Sequence, residues 1–215
     1  MPENLALFLM LLTLFIFVSL ISHISATVLQ YCLANEVAIL ENPTKIESYS
    51  VKQRLYFLFS LFPLYLLTTK LSSTAMELIV YWVFITFMIF ISIMDFEQHV
   101  ILDKILLVLV LFAFVFSPFL PSPFLNRLLA AILGSGILLL LTILTKGGIG
   151  GGDIKLLFSL GLWLGTDKLL PTMLFGFIGG GIISAILLLS KRKRTGDPIA
   201  YGPYFTISAI IFFLF

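Results

Sequence analysis

Cysteine, histidine and charged residues are all scarce in this sequence. Its single cysteine, Cys32, cannot form an internal disulfide, and one cysteine excludes a cysteine-based metal cluster. With only two histidines, a multi-histidine metal site is not expected either. The net charge of +2 is too small to indicate nucleic-acid binding. The composition therefore predicts neither a cysteine-based or multi-histidine metal site nor a nucleic-acid partner, and no cofactor is expected.

Apolar residues, in contrast, dominate the chain. They make up 60% of its 215 residues, whereas charged residues make up 11%. A soluble domain of this size has too little interior to bury that much apolar surface, so the composition predicts an all-α, polytopic membrane protein. The first apolar segment lacks the basic start and small-residue cleavage site of a signal peptide, and is interpreted as a retained span.

About eight helices are predicted to cross the membrane, because a span needs roughly 20 apolar residues and somewhat fewer where neighbours shelter its ends. The predicted spans are residues 5–29, 55–71, 75–94, 105–119, 128–145, 154–164, 169–189 and 203–215. Residues 1–89 are expected to form an N-terminal membrane region with a short cytoplasmic loop at about 30–54. Residues 90–215 are expected to form a second membrane region that carries the chemistry.

The distribution of lysine and arginine predicts the orientation, since these residues concentrate in cytoplasmic loops. With eight spans, ten of the thirteen fall in one set of loops, and the other set holds Lys70, Arg127 and Lys168. The sequence therefore predicts a multi-pass plasma-membrane protein with its N-terminus outside and its glycine-rich loop in the cytoplasm. The basic run at residues 191–194 is expected to anchor this topology against anionic lipids.

Five of the six residues from 147 to 152 are glycine, and Asp153 follows them directly. An ionisable residue at the mouth of a membrane segment is a functional-site hypothesis, because a charge leaves water at a cost of several kcal/mol unless it is paired. Glycine lets the backbone adopt positive φ and lets another chain, such as a peptide, approach closely. The alternative interpretation is a flexible turn that ends in a helix-capping aspartate.

A second aspartate, Asp95, lies at the predicted cytoplasmic end of the third span, on the same side as Asp153. Two neighbouring carboxyl groups cannot both ionise cheaply, so one retains a proton while the other acts as a base. Such a pair can activate water against a peptide carbonyl and protonate the leaving amine. The alternative is that the two aspartates cap separate helices and pair with Lys104 and Lys155.

Three blocks of residues together resemble the prepilin peptidases, also called type IV prepilin leader peptidases. Residues 146–165, with the G-x-G-D signature at 150–153, resemble the second active-site block of that family. Its first block has Asp, six residues, Pro and Asp, which Asp95 and Asp103 match, with Leu102 in place of the proline. Residues 198–204 are similar to a third segment of the form Pro-x-Gly-Pro-Phe.

The resemblance implies that Asp95 and Asp153 are the catalytic pair of an aspartyl endopeptidase that cuts the leader from type IV pilin-like precursors at the cytoplasmic membrane face. Asp103 is expected to support this pair or to cap the fourth span. Lys155 either favours ionisation of the acids or extends to the membrane interface. The residues expected to support catalysis or to form the substrate loop are Asp103, Gly150, Gly151, Gly152 and Lys155.

The sequence departs from the family in its N-terminal part. Many bacterial members carry two Cys-x-x-Cys pairs there and methylate the new pilin N-terminus with S-adenosylmethionine. This chain has neither pair, so no methyltransferase activity is expected. Nothing in it selects among competence, secretion and pilus precursors. Two other classes stay open: an ion- or proton-coupled transporter, and a catalytically silent scaffold for pilus or secretion assembly.

Overall fold

The computed structural model describes residues 61, 63–192 and 199–215, without the side chains of residues 97 and 98. The chain divides into two compact units, Met1–Ser72 and Ser73–Phe215. In the first unit residues 63–71 are helical. The predicted span 5–29 and the loop 30–54 lie outside the described residues. Of the predicted span 55–71, residues 55–60 and 62 also lie outside them.

The second unit is a bundle of helices with short connections. Its elements are α1 (Ala75–Gln98), α2 (Asp103–Val115), a 3-10 turn (Ser117–Phe119), α3 (Phe124–Leu144), α4 (Gly151–Leu189) and α5 (Gly202–Leu214). The described part of the chain contains no strand. The prediction of an all-helical protein is therefore confirmed for these residues.

Within the part of the chain that the structure describes, three helices are long and apolar enough to cross a membrane: Ala75–Phe96, Phe124–Leu144 and Gly151–Leu189. The Gly202–Leu214 helix is equally apolar in character but shorter. Large apolar side chains cover the outside of the unit, among them Leu125, Leu133, Leu140 and Leu174, each more than half exposed. Soluble proteins rarely expose contiguous surface of this kind, so the protein belongs in a membrane.

A capping box begins α1. The side chain of Thr74 accepts a hydrogen bond from the Glu77 N–H at 3.2 Å, and the Glu77 carboxylate accepts one from the Thr74 N–H at 3.3 Å. These bonds satisfy two of the free amide groups at the helix start. The helix ends at His99, which adopts a left-handed conformation with φ 54°. The cap places Asp95 in the last turn of α1.

Although α4 is continuous in residue number, it folds back on itself at Gly165. A straight helix of 39 residues would be about 58 Å long, nearly twice the thickness of a bilayer core. Gly165 has φ 73° and ψ 175°, which is not helical and which side chains other than hydrogen rarely allow. It separates a first arm, residues 151–164, from a second arm, residues 166–189.

Contacts along α3 show the change of direction. Arg127 of α3 donates to the carbonyl of Leu162 in the first arm, and Asn126 accepts from the Thr166 N–H at 2.8 Å just after the turn. Further along α3, Gly134 packs directly against Leu169 of the second arm. The first arm therefore runs antiparallel to α3 and the second arm runs parallel to it. The predicted spans 154–164 and 169–189 correspond to these two arms.

Two basic residues are not where the sequence placed them. Arg127 was predicted in an outer loop, but α3 begins at Phe124, and Arg127 lies inside it with 2% of its surface exposed. Lys168 lies in the second arm, where its ammonium group donates to the Phe213 carbonyl at 3.2 Å. Both residues were wrongly predicted to lie in loops, because their charge lowers the hydropathy of the segment. Hydropathy does not show that main-chain carbonyls of neighbouring helices accept hydrogen bonds from these cations.

Trp163 forms the centre of the core. It is fully buried, and its ring packs against Phe84 of α1 and Phe213 of α5, with centroid separations of 5.1 and 6.0 Å. Its indole N–H donates to the Leu109 carbonyl of α2 at 3.0 Å. One side chain of the first arm thus joins α1, α2 and α5, which places the helices that carry the aspartates in one packed unit.

Candidate active site

The packing brings the end of α1 to the start of α5. Phe84 in the middle of α1 packs against Phe213 at the far end of α5, with ring centroids 4.2 Å apart. Eleven residues further along α1, Asp95 contacts Gly202 at the beginning of α5. The two helices are therefore antiparallel. The second arm of α4 also runs to this end, where Gly180 packs against Tyr201.

A cavity of about 720 Å³ lies at this end of the unit and contains both predicted catalytic residues. Its walls come from the end of α1, the glycine-rich loop, the start of α4 and the segment before α5. The lining residues are Asp95, His99, Val100, Ile101, Gly147, Gly148, Gly150, Gly151, Gly152, Asp153, Ile199, Ala200 and Tyr201. Residues far apart in sequence thus share one cavity.

Asp95 is nearly buried, with 6% of its surface exposed. Its Oδ2 atom accepts a hydrogen bond from the main-chain N–H of Gly202, at 2.8 Å. Because Gly202 is the first residue of α5, this carboxyl group lies against the positive end of a helix dipole. The structure therefore provides a fixed donor for one oxygen of Asp95.

Asp153 lies in the first turn of α4, but it does not cap that helix. The N-cap position belongs to Gly150, and the helix begins at Gly151. The alternative interpretation of Asp153 as a helix cap was therefore wrong. Its Oδ1 atom is buried and has no hydrogen-bond partner among the described residues. A buried polar oxygen left without a donor is costly, which indicates that this atom is available to a substrate or a water molecule.

The carboxyl groups of Asp95 and Asp153 are close enough to interact electrostatically. Asp153 belongs to the first turn of α4, and Asp95 contacts the first turn of α5. The positive ends of two helices therefore offset part of the cost of burying two acids together. The arrangement suits a pair that carries one negative charge and one proton.

Glycine allows the start of α4 to approach the segment that follows α1. A Cβ atom on Gly152 would lie 3.1 Å from Cβ of Ile101, which is tighter than ordinary packing. Gly150 and Gly151 also line the cavity, and their main-chain groups are not covered by side chains of their own. The loop turns through Lys146 and Gly147, both with positive φ, of 53° and 93°.

Asp103 and Lys155 do not line this cavity. They pair with each other, and Lys155 forms no ion pair with Asp95 or Asp153. Asp103 is the first residue of α2 and Leu102 is the N-cap, so the prediction that Asp103 caps this helix was wrong. Leu102, which stands where the family has proline, has φ −72°, the angle that a proline ring imposes.

His99 and Tyr201 line the cavity and Gly202 contacts Asp95, but none of these three is among the predicted site residues. Gly202, which holds Asp95, was noted only as part of the third block of residues. The one sequence signal that pointed to it is the Gly-Pro pair at the start of the last apolar segment, because proline is favoured in the first turn of a helix.

The fold and the cavity define a class: a helical membrane protein with two carboxyl groups facing a glycine-lined cavity at one end of its bundle. The comparisons with known proteins agree with this. The model of the Type IV leader peptidase family matches residues 82–185, which include Asp95 and Asp153. This part of the chain belongs to the type IV leader peptidase family, and the family predicted from the sequence is confirmed.

Curated relatives bear the name prepilin leader peptidase/N-methyltransferase. One from Bacillus subtilis is 29% identical over 144 residues, which is 66% of this chain and 57% of the relative. One from Xanthomonas campestris is 39% identical over 69 residues, or 32% of this chain and 24% of the relative. One from Pseudomonas aeruginosa is 41% identical over 66 residues, which is 31% of this chain and 23% of the relative. The chain thus spans less than two thirds of these relatives. No solved structure matches it significantly.

Proposed function

We propose that the protein is a membrane aspartyl endopeptidase that removes the leader peptide from type IV pilin-like precursors. The observation that carries this proposal is the position of Asp95 and Asp153, which line one cavity within electrostatic range of each other. The names of the relatives supply the reaction and the class of substrate. Their N-methyltransferase activity is not part of the proposal.

The two carboxyl groups divide the chemistry between them. The ionised one takes a proton from a water molecule, and the resulting hydroxide attacks the carbonyl carbon of the scissile peptide bond. The protonated one donates its proton to the leaving amine as the C–N bond breaks. Two acids with one proton between them therefore provide both the base and the acid of a hydrolysis that forms no covalent intermediate.

The glycine-rich loop provides a place for the substrate next to these acids. Its Gly150 and Gly151 main chain faces the cavity, and no Cβ atom blocks the approach of another backbone. Ile199 and Ala200, which are not helical, line the same cavity. An extended peptide between these two segments can form main-chain hydrogen bonds on either side, as added strands do.

The proposed topology is the one that the sequence predicts: about eight spans in the plasma membrane, with the N-terminus outside and the catalytic cavity at the cytoplasmic face. The excess of lysine and arginine in one set of loops supports it, and the cavity lies at the end of the bundle that carries the glycine-rich loop. The catalytic region is proposed to be residues 90–215. Lipids are expected to cover the exposed apolar faces.

The test is cleavage of a pilin-like precursor by the purified full chain in liposomes. Asp95→Asn and Asp153→Asn are each expected to lower the rate by at least about 1,000-fold, because one carboxyl group cannot act as both base and acid. Asp103→Asn is the matched control: it is also an aspartate in the first turn of a helix, but lies outside the cavity. It is expected to cleave within about threefold of the unmodified protein, since an exposed ion pair contributes little.

Two outcomes would contradict the proposal. If the Asp95 and Asp153 variants are both stably folded and support precursor processing in cells at the normal rate, the protein is an assembly scaffold. If the purified protein does not cleave the precursor, but instead carries ions across the liposome membrane in a manner that depends on the two aspartates, it is a transporter.

A further inference from the structure

Gly202 contacts Asp95 directly and lies outside the region that the family model matches. It donates its main-chain N–H to Asp95 Oδ2 at 2.8 Å. The bond is buried and joins residues that are 107 positions apart. The first amide groups of a helix have no partner within the helix, so this donor is available to a carboxylate without any loss of helical hydrogen bonding.

The absence of a side chain at this position is as important as the N–H group. A Cβ atom on Gly202 would lie 2.6 Å from Asp95 Oδ2, 3.0 Å from its Cγ and 3.1 Å from its Cβ. The first of these distances is shorter than any normal contact, and the atoms it meets belong to a buried side chain. Any residue other than glycine must therefore displace either the Asp95 carboxyl group or the start of α5.

The start of α5 has little freedom to move away. Tyr201, the residue before it, packs against Gly180, where a Cβ atom would lie 2.5 Å from the Tyr201 ring. One turn into α5, Phe205 packs against Gly176 in the same way, with a corresponding distance of 2.3 Å. Both glycines belong to the second arm of α4. The position of the Gly202 amide is thus set by close packing between α5 and this arm.

We propose that Gly202 is a positioning residue for Asp95: its N–H fixes the orientation of the carboxyl group toward the cavity, and its missing side chain leaves room for that group. The inference rests on the proposed function, because Asp95 needs a defined orientation only if it acts on a substrate. Asp153 also accepts a main-chain hydrogen bond, from Gly150, but its Oδ1 atom has no partner among the described residues and is left for the reaction.

The kinetic test compares three glycine-to-alanine variants in the full chain. Gly202→Ala is expected to lower kcat by about 100-fold with KM within about twofold, because misplacing a catalytic group by an ångström costs rate rather than binding. Gly176→Ala disturbs the packing that positions the start of α5, but it leaves the Gly202 N–H and the space beside Asp95 in place, so its kcat is expected to fall less, by about tenfold at most. Gly181→Ala is the control for the substitution itself, because a Cβ atom on Gly181 would have no other atom within 4 Å.

Thermal unfolding of the variants separates positioning from general damage. Gly202→Ala and Gly176→Ala are compared at temperatures where both are fully folded. If the loss of kcat in Gly202→Ala is no larger than in Gly176→Ala, or if KM changes as much as kcat, Gly202 has a structural role only and the inference is wrong.

A second measurement does not depend on catalysis, so that failure of the inference differs from failure of the proposed peptidase function. A water-soluble carbodiimide labels carboxyl groups, and the sites are read by mass spectrometry, with the exposed Asp103 as the internal reference. Gly202→Ala is expected to raise the labelling of Asp95 relative to Asp103 at least about fivefold, since the carboxyl group loses its buried hydrogen bond. Unchanged labelling of Asp95 would overturn the inference even if the protein cleaves its precursor.

Discussion

Lys155 and Asp103 form an ion pair between the starts of two helices, with the lysine Nζ atom 2.6 and 2.8 Å from the two carboxylate oxygens. Asp103 is the first residue of α2, and Lys155 lies near the start of α4, two residues after Asp153. The pair therefore joins the starts of these two helices. Both side chains are more than half exposed, at 65% for Asp103 and 57% for Lys155. The contact therefore links the two segments that flank the cavity without being part of its wall.

The exposure of this pair predicts a small energetic effect. A double-mutant cycle with Asp103→Ala and Lys155→Ala is expected to give a coupling free energy of about 0.2–1 kcal/mol, because solvent screens the two charges. Chemical unfolding in detergent at low and high salt measures it, and the coupling should decrease in high salt. The exchanged pair, Asp103→Lys with Lys155→Asp, is expected to recover most of it. A folded Lys155→Ala protein that cannot cleave would instead place Lys155 in the catalytic machinery.

Gly165 is expected to be the most sensitive point of the α4 turn. Its φ of 73° with ψ of 175° suits glycine alone, and a Cβ atom would lie 2.6 Å from Ser122 Oγ. Gly165→Ala is expected to lower the free energy of unfolding by about 1–3 kcal/mol. Thermal or chemical unfolding in detergent measures the change. Gly181→Ala, in the same helix but in open space, should change stability by less than about 1 kcal/mol.

Gly161 allows the first arm of α4 to pack directly on the backbone of α3. A Cβ atom there would lie 2.3 Å from the Ala131 nitrogen and 2.4 Å from its Cα. Small residues at such contacts let membrane helices approach closely. Gly161→Ala is expected to cost about 3 kcal/mol, at the upper end for an overpacked site, because backbone atoms cannot rotate out of the way. Gly136→Ala on α3, with nothing within 4 Å, is the control; an equal effect of both changes would show that the contact is loose.

Arg127 connects three helix ends deep in the unit. Its guanidinium donates to the carbonyls of Ala113 and Leu162, at 3.4 and 3.2 Å, and to the hydroxyl of Ser117. No carboxylate pairs with it among the described residues. The carbonyls at helix C-termini carry partial negative charge and provide its compensation instead.

Arg127→Met is therefore expected to lower the free energy of unfolding by about 2–4 kcal/mol, because several buried acceptors lose their donor at once. Arg127→Lys should recover only part of the loss, since one ammonium group cannot reproduce the planar fork of a guanidinium. Unfolding in detergent measures both. Arg192→Met, at an exposed position, is the matched control and should change stability by less than about 0.5 kcal/mol. If Arg127→Met is as stable as the unmodified protein, the hydrogen bonds of Arg127 are not important for the fold.

The helices of the second unit were largely predictable, since each is a long apolar segment between polar or glycine-rich residues. The boundaries were less so. The predicted span 105–119 ends as a helix at Val115, because Ser117 and Pro118 begin a 3-10 turn. The predicted span 128–145 begins earlier, at Phe124, since α3 includes Arg127 within its first turn. In both cases hydropathy located the segment, whereas local hydrogen bonding determined where it began or ended.

The candidate site, too, was predicted from the sequence only in part. The sequence pointed to Asp95 and Asp153 because each is an acid beside an apolar segment, in a local pattern that resembles a known family. One alternative interpretation paired the two aspartates with Lys104 and Lys155, whereas Lys155 pairs with Asp103. The contact between Gly202 and Asp95 was not predicted. Both contacts join residues more than fifty positions apart, and nothing in the local sequence distinguishes one distant partner from another.

By itself, the sequence predicted a helical membrane protein and the resemblance of one region to the leader peptidase family, which the match of residues 82–185 confirms, because apolar composition and a few local motifs are properties of short segments. The tertiary structure alone decided which groups meet: Asp95 with Gly202, Asp103 with Lys155, and Arg127 with the carbonyls of two other helices. These contacts depend on how the helices pack and turn relative to one another. Close packing at glycines determines that arrangement, and it joins residues too far apart in sequence for a local pattern to indicate.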